Sequence, residues 1–351
     1  MTVQHLKSPA APSHSSLYLG GPRLLADIGG TNARFALETA PGQTGAINVL
    51  PCADFPTLAH ALRAYLALPE VLAAIGQSGT GGASAIRHAA LAIANPITGD
   101  LVRMTNHHWE FSIEALRTEC DFDTLVVAND FTALARALPH LSASQKQQIG
   151  GGKPVPNTPL GLVGAGTGLG VSGLIPSRAG WTALLSEGGH VTFSPANETE
   201  VAILKFAWRE FDHVSAERFL SGDGLELIYR ALAHLAGVSD EGLTAPEISR
   251  RALSGESPMC DQAIEVFCGM LGTVAGNLAI TLGAQGGIYI GGGIVPRLGE
   301  RFVCSSFRAR FEQKGRFVNY LAQVPSYVIT AEYPAFLGVS AILTEKLNSL
   351  S

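Results

Sequence analysis

Short apolar runs closed by glycine turns recur along this chain, and between them apolar residues return every three or four positions. Leu24 to Ile28 is mainly apolar and ends in Gly29-Gly30-Thr31-Asn32, after which charged and apolar positions alternate from Arg34 to Glu38. This pattern predicts a β-hairpin about a glycine turn. From Phe55 to Ile75, Leu58, Leu62, Leu66 and Leu68 fit one helix, followed by a Gly/Ser-rich loop over Gly76 to Ser84 and an apolar strand from Ala89 to Ala94. Thr124 to Ala128 has the composition of a fully buried strand and ends at Asn129-Asp130, ahead of a helical pattern from Phe131 to Leu138. Open α/β sheets place their chemistry beyond the carboxyl ends of strands, which is where these two polar residues stand.

The first hairpin has an echo. After a linker-like stretch from Gly150 to Thr158, Leu160 to Val163 runs into Gly164-Ala165-Gly166-Thr167-Gly168-Leu169-Gly170 and on into Val171 to Ile175. A second α/β half therefore begins here, with a domain boundary expected between about residues 140 and 158. Helical periodicity follows over Glu198 to Phe211, Gly224 to Leu235 and Asp261 to Leu282. A strand at Ile288 to Ile290, a helix after Pro296, a strand at Tyr327 to Thr330 and a helix from Ala335 to Leu347 close the chain. Alternating strands and helices define the class as α/β.

Composition narrows the picture. Glycine supplies 40 of the 351 residues and charged residues 15 %, against roughly 7 % and 25 % in ordinary chains, which suits buried strands joined by backbone-lined turns. A net charge of −5 offers no basic field, so no nucleic-acid or membrane-surface partner is expected. Val266 to Pro296 carries no charge and holds Gly272 and Gly276 at GxxxG spacing, but Asn277, Thr281, Gln285 and several glycines interrupt it. It is therefore expected to be a buried helix, a strand and a turn rather than a membrane span. The five cysteines form no CxxC pair, which fits reduced cytoplasmic thiols and no zinc knuckle. Residues 1–22, polar and rich in Pro and Ser, are expected to be a flexible leader.

Glycine turns at strand ends let backbone N–H groups approach a polyanion. GxxxxGK[ST] is absent, and Gly164, Gly166 and Gly168 do not match GxGxxG, so neither a Walker loop nor a dinucleotide fingerprint is present. The ordered series LLADIGGTNARFAL, VVANDFTALA, GAGTGLG, EGGH, HVSAERFLSG and GGIYIGGGIVPR instead resembles the bacterial glucokinase family, from about Arg23 to the end of the chain. That resemblance implies a two-domain actin-like ATPase fold, related to ribonuclease H, with an interdomain cleft. A small domain would span 23–140, completed by 331–351, and a large one 141–330.

The resemblance also implies roles. Ala26, Asp27, Ile28, Gly29, Gly30 and Thr31, with Gly164, Ala165, Gly166, Thr167 and Gly168, would form two phosphate-binding turns for ATP. Gly291, Gly292 and Gly293 would lie by the adenosine, and Asp27 would hold Mg²⁺ through water. Asp130 would be the general base for phosphoryl transfer to the 6-hydroxyl of glucose, with Asn129, Asp130, Glu187, His190 and Glu217 contacting the sugar and domain closure excluding water. By likeness to the family the chain would form a homodimer. Plainer alternatives stand beside these: turns needing positive φ for the glycines, a helix N-cap for Asp130, surface carboxylates for Glu187 and Glu217, and a structural role for His190. Another hexose kinase, or a nucleotide-dependent regulator on the same superfold, is the competing functional reading. The EGGH segment also resembles that of repressor-type sugar kinases, but their cysteine-rich zinc motif does not follow it.

Overall fold

The computed structural model describes residues 22–77, 86–105, 107–178 and 180–350. The first 21 residues of the expected leader, and all but the start of the expected loop over Gly76 to Ser84, lie outside them. The chain packs as two units, one running to Ala133 and taking in Ala335–Ser351, the other Leu134–Pro334. The division falls inside a helix, earlier in the chain than residues 140–158.

The first unit begins with β1 (Arg23–Ile28), β2 (Asn32–Ala40) and β3 (Gln43–Pro51), then α1 (Leu58–Leu66), α2 (Pro69–Gln77) and β4 (His88–Ile93). The small pair β5 (Leu101–Arg103) and β6 (Glu110–Ser112), α3 (Ile113–Glu119), β7 (Thr124–Asn129) and α4 (Asp130–Ala137) follow. Its five-stranded sheet has the order β3-β2-β1-β4-β7. β1 and β2 form the expected antiparallel hairpin, with Asp27 opposite Arg34, and β4 and β7 add on in parallel. β3 was not expected. Its positions are exposed or half-buried, so it lacks the contrast between faces that marks a strand in sequence.

The single helix expected over 55–75 is two helices meeting at a bend of 63°. Pro69 has no N–H to donate to an earlier turn and fits only the start of a helix, so α1 ends before it. Thr57 caps α1, its hydroxyl accepting from His60 N. Phe35 and Tyr65 stack at 5.1 Å in the core beneath the sheet, and buried Trp109 donates through Nε1 to Phe55 O at 3.0 Å.

The second unit holds β8 (Lys146–Ile149), β9 (Leu160–Ala165), β10 (Leu169–Ser177) and β11 (Gly180–Ala183), then α5 (Glu198–Ala207), α6 (Gly222–Ala236), α7 (Ala245–Leu253) and α8 (Pro258–Leu282). β12 (Gly287–Gly291), α9 (Val295–Leu298), α10 (Glu300–Val303), α11 (Phe307–Glu312), α12 (Val318–Gln323) and β13 (Ser326–Ile329) complete it, and α13 (Pro334–Asn348) returns the chain to the first unit. The sheet order is β11-β10-β9-β12-β13-β8. β9–β10 is again an antiparallel hairpin, β11 extends it, and β12 and β13 run parallel to β9. The first unit's arrangement is thus repeated, with β8 added antiparallel at the far edge.

The helical part of the uncharged run lies in α8, whose Phe267, Met270 and Leu271 are fully buried, and its strand is β12. It is long and apolar enough to cross a membrane, and 61 % of its most apolar window is buried. Its GxxxG pair faces a helix of the same unit. A Cβ at Gly272 would collide with the Phe307 carbonyl, and one at Gly276 would stand 2.5 Å from Phe311 O. The two glycines therefore let α11 lie against α8 at backbone distance.

Candidate active site

In the first unit, the parallel strands align their carboxyl ends: Ile28 pairs with Ile93, and Ile93 with Asn129. The turn at Gly29–Thr31 and the Asn129-Asp130 pair therefore leave the same edge of one sheet. Asn129 takes the capping role considered for Asp130. Its Oδ1 accepts from Phe131 N at 2.9 Å and Thr132 N at 3.1 Å, satisfying the first free donors of α4. Asp130 becomes the first residue of that helix, and its Oδ1 accepts from Phe131 N at 2.8 Å and from Asn129 Nδ2 at 3.0 Å. Burial pushes the Asp130 carboxyl up to about 6, with the nearby charge of Asp27 adding to the rise and backbone N–H groups opposing it.

Burial also raises the Asp27 carboxyl, and Arg34 pulls it partway back. Arg34 Nη1 lies 3.2 Å from Asp27 Oδ2 across the hairpin. Arg34 is a site residue that sequence reasoning passed over. The signal was available, because pairing Ile28 with Ala33 about the turn puts 27 opposite 34, and opposite charges on facing strands attract.

In the second unit, β9 and β12 align Gly164 with Gly291, bringing Gly164–Gly168 and Gly291–Gly293 to one sheet edge. Gly292 has φ +80°, and a Cβ there would strike the Ala165 carbonyl, so this glycine is a requirement of the fold. The two phosphate-turn segments differ. None of their glycines has a positive φ, so the tight-turn explanation does not hold for them. A Cβ at Gly166 would meet nothing within 4 Å. That open space beside the backbone is what a close-approaching ligand needs.

The sugar-contact candidates of this unit also converge. His190 Nδ1 lies 3.6 Å from Glu217 Oε1, and His190 Nε2 lies 4.0 Å from Glu187 Oε2. Glu187 and His190 are well exposed, at 79 % and 60 % of their side-chain surface, while Glu217 is at 32 %. Glu217 is held by the glycine turn itself, its Oε2 accepting from Leu169 N at 2.8 Å. A Cβ on Gly168 would stand 2.6 Å from that oxygen. The backbones of the two segments are pinned as well, Glu217 N donating to Gly189 O at 3.0 Å and Ala216 N to Val191 O at 2.9 Å. A carboxylate, a second carboxylate and an imidazole, partly open to solvent and fixed at the backbone, form a set of acceptors and donors suited to a polyhydroxylated ligand.

Two units with one repeated sheet plan, each bearing a glycine turn between the two strands of its hairpin, define an actin-like ATPase fold of the sugar-kinase type. The glucokinase family model matches residues 24–346, and the chain belongs to that family. It is 56 % identical to the glucokinase of Chromobacterium violaceum, over 93 % of this chain and 90 % of that one. It is also 56 % identical to the bifunctional protein glk of Paraburkholderia xenovorans, over 99 % of this chain. It spans about half the length of that relative and of the other bifunctional ones it matches. A crystal structure of glucokinase from an Antarctic psychrotroph superposes with a TM-score of 0.82 at 37 % identity, covering 92 % of this chain and 98 % of that one.

Proposed function

We propose that this chain transfers the terminal phosphoryl group of ATP to the 6-hydroxyl of D-glucose, giving glucose 6-phosphate and ADP. The observation that carries the reading is Asp130: a buried carboxyl raised to about 6, at the start of a helix that Asn129 caps, beside a phosphate-type turn. Such a group is ionised at neutral pH yet basic enough to receive a proton. The hydroxyl proton passes to Asp130 as the oxygen–phosphorus bond forms, and the bond from that phosphorus to the β-phosphate's bridging oxygen breaks, releasing ADP. Asn129 orients Asp130 through its Nδ2. Glu187, His190 and Glu217 receive sugar hydroxyls, and a sugar lacking the right hydroxyls leaves them unpaired.

The backbone at Gly29–Thr31 and Gly164–Gly168 cradles phosphates, and Gly291–Gly293 borders the adenosine. Among the described residues no three His, Cys, Asp or Glu side chains converge as a metal cage. A single carboxylate, Asp27, suits Mg²⁺, which keeps its waters and binds mainly through phosphate oxygens. Asp27 would hold the ion through water, and the ion would neutralise phosphate charge. Arg34 holds the Asp27 carboxylate in place. The five cysteines are free thiols, in keeping with a cytoplasmic site of action, and a homodimer is the proposed assembly.

The test is ADP release with Mg²⁺ and ATP across a panel of hexoses, with the product identified. Glucose is expected to stand well above mannose, fructose and glucosamine and to yield the 6-phosphate. ATP binding with no sugar phosphorylated would transfer the chain to the regulatory reading.

A further inference from the structure

The second unit contains a cavity of about 290 Å³ that the proposed reaction does not use. Val171, Val191, Phe193, Val274, Leu278 and Leu282 give it apolar walls, and Ser186, Thr192, Asn277 and Thr281 supply polar groups. None of its sixteen lining residues is charged. The lining alternates with the sugar set along the chain. Val191 and Ala216 line the cavity, while their neighbours His190 and Glu217 face each other at 3.6 Å. Val191 and Ala216 are also joined directly, Ala216 N to Val191 O at 2.9 Å. Val191 directly follows the short helical turn that ends at His190, and Glu217 N is itself bonded to Gly189 O at 3.0 Å, so a body pressing on Val191 and Ala216 displaces the backbone that carries His190 and Glu217.

We infer that this cavity is an effector site for a small, uncharged, mainly apolar molecule with one hydrogen-bonding end, and that its occupancy alters sugar affinity. The volume suits a body of one or two rings, near the lower end of ligand pockets. A charged ligand would lose its hydration with no counter-charge to meet. A peptide would bring more backbone donors and acceptors than the few hydroxyls and the amide could satisfy. The walls supply the apolar burial and the polar groups fix the orientation. The coupling to glucose rests on the glucose-kinase reading; binding in the cavity does not.

N-phenyl-1-naphthylamine, a neutral apolar fluorophore, tests both parts. The expected result is one saturable site per chain, with affinity cut about tenfold by Thr281→Trp, which places a ring in the cavity from an exposed position of α8. Circular dichroism checks that the variant is folded. Saturating glucose is expected to change probe affinity about threefold in the unaltered chain, because coupling between two sites is reciprocal. That readout needs no kinase activity. Unsaturable binding, equal binding by Thr281→Trp, or exclusion of the probe by self-association at this face overturns the site. Probe binding blocked by Thr281→Trp but unmoved by glucose overturns the coupling. A chain that passes both tests and phosphorylates no hexose overturns the glucose-kinase reading alone.

Discussion

Asp130 is held in a state that costs stability and gains reactivity. Burial disfavours its charge, and the charge of Asp27 disfavours it further, so at neutral pH, where the carboxylate is ionised, it costs folding stability. Asp130→Asn keeps an oxygen to accept from Phe131 N but has nothing to receive a proton. Turnover is expected to fall about a thousandfold, with glucose affinity within about threefold of the original. The linkage sign is opposite to that of a salt-bridged aspartate. The folded value lies near 6 against the ordinary 3.8, so the cost of burying the charge is full above about 6 and disappears as pH falls below the ordinary value. Asp130→Asn is therefore expected to melt higher than the original at pH 7.5, with the gain shrinking toward pH 4. Equal gains at both pH values would show that burial of this charge is not the cause. The original enzyme's turnover is expected to fall about tenfold per pH unit below about 6.

At the scale of elements, the glycine turn after β9 anchors a carboxylate from a distant segment. The expectation placed Gly168 with the phosphates and Glu217 with the sugar, and the structure joins them through Leu169 N, with no room for a methyl group between. Gly168→Ala is expected to push the Glu217 carboxylate off Leu169 N and raise the KM for glucose about tenfold, with a smaller change in kcat, as loss of a positioned binding group does. Steady-state kinetics with glucose and ATP varied separately checks this, since a purely phosphate-side role would move the KM for ATP instead. The hairpins themselves were legible, because an apolar run, a glycine turn and a second run leave few alternatives. The same holds for α8, whose length and uncharged stretch from Val266 to Leu282 leave little choice. β3 was not legible because neither of its faces is fully buried. The choice between Asn129 and Asp130 as cap was equally hidden, since both side chains can cap and only the position of the helix start decides. The Glu217–Leu169 contact joins residues 48 apart, and no local pattern encodes such a meeting.

At the scale of the molecule, the chain leaves its first unit at Ala133 and returns to it at Ala335, so that unit is completed by α13. α13 is tied back by Arg23 Nη1 to Thr344 Oγ1 at 2.8 Å, and by Ser340 Oγ to Glu38 Oε1 at 2.7 Å. Arg23 and Glu38 form a buried ion pair 3.6 Å apart. The closest approach is at Gly338, where any Cβ would collide with the carbonyl of Ala133 on α4. Since α4 begins with Asp130, the packing of the chain's end bears directly on the proposed base. Gly338→Val is therefore expected to destabilise the first unit selectively. The branched side chain has to force α13 off α4, an overpacking that costs about 3 kcal/mol. Hydrogen exchange measured strand by strand resolves the effect: β1, β2 and β4 are expected to lose protection while β9, β10 and β12 keep theirs, because the second unit closes its own sheet and core without α13. Uniform loss of protection across both sheets would mean that the two units unfold together and that the last helix stabilises the whole chain.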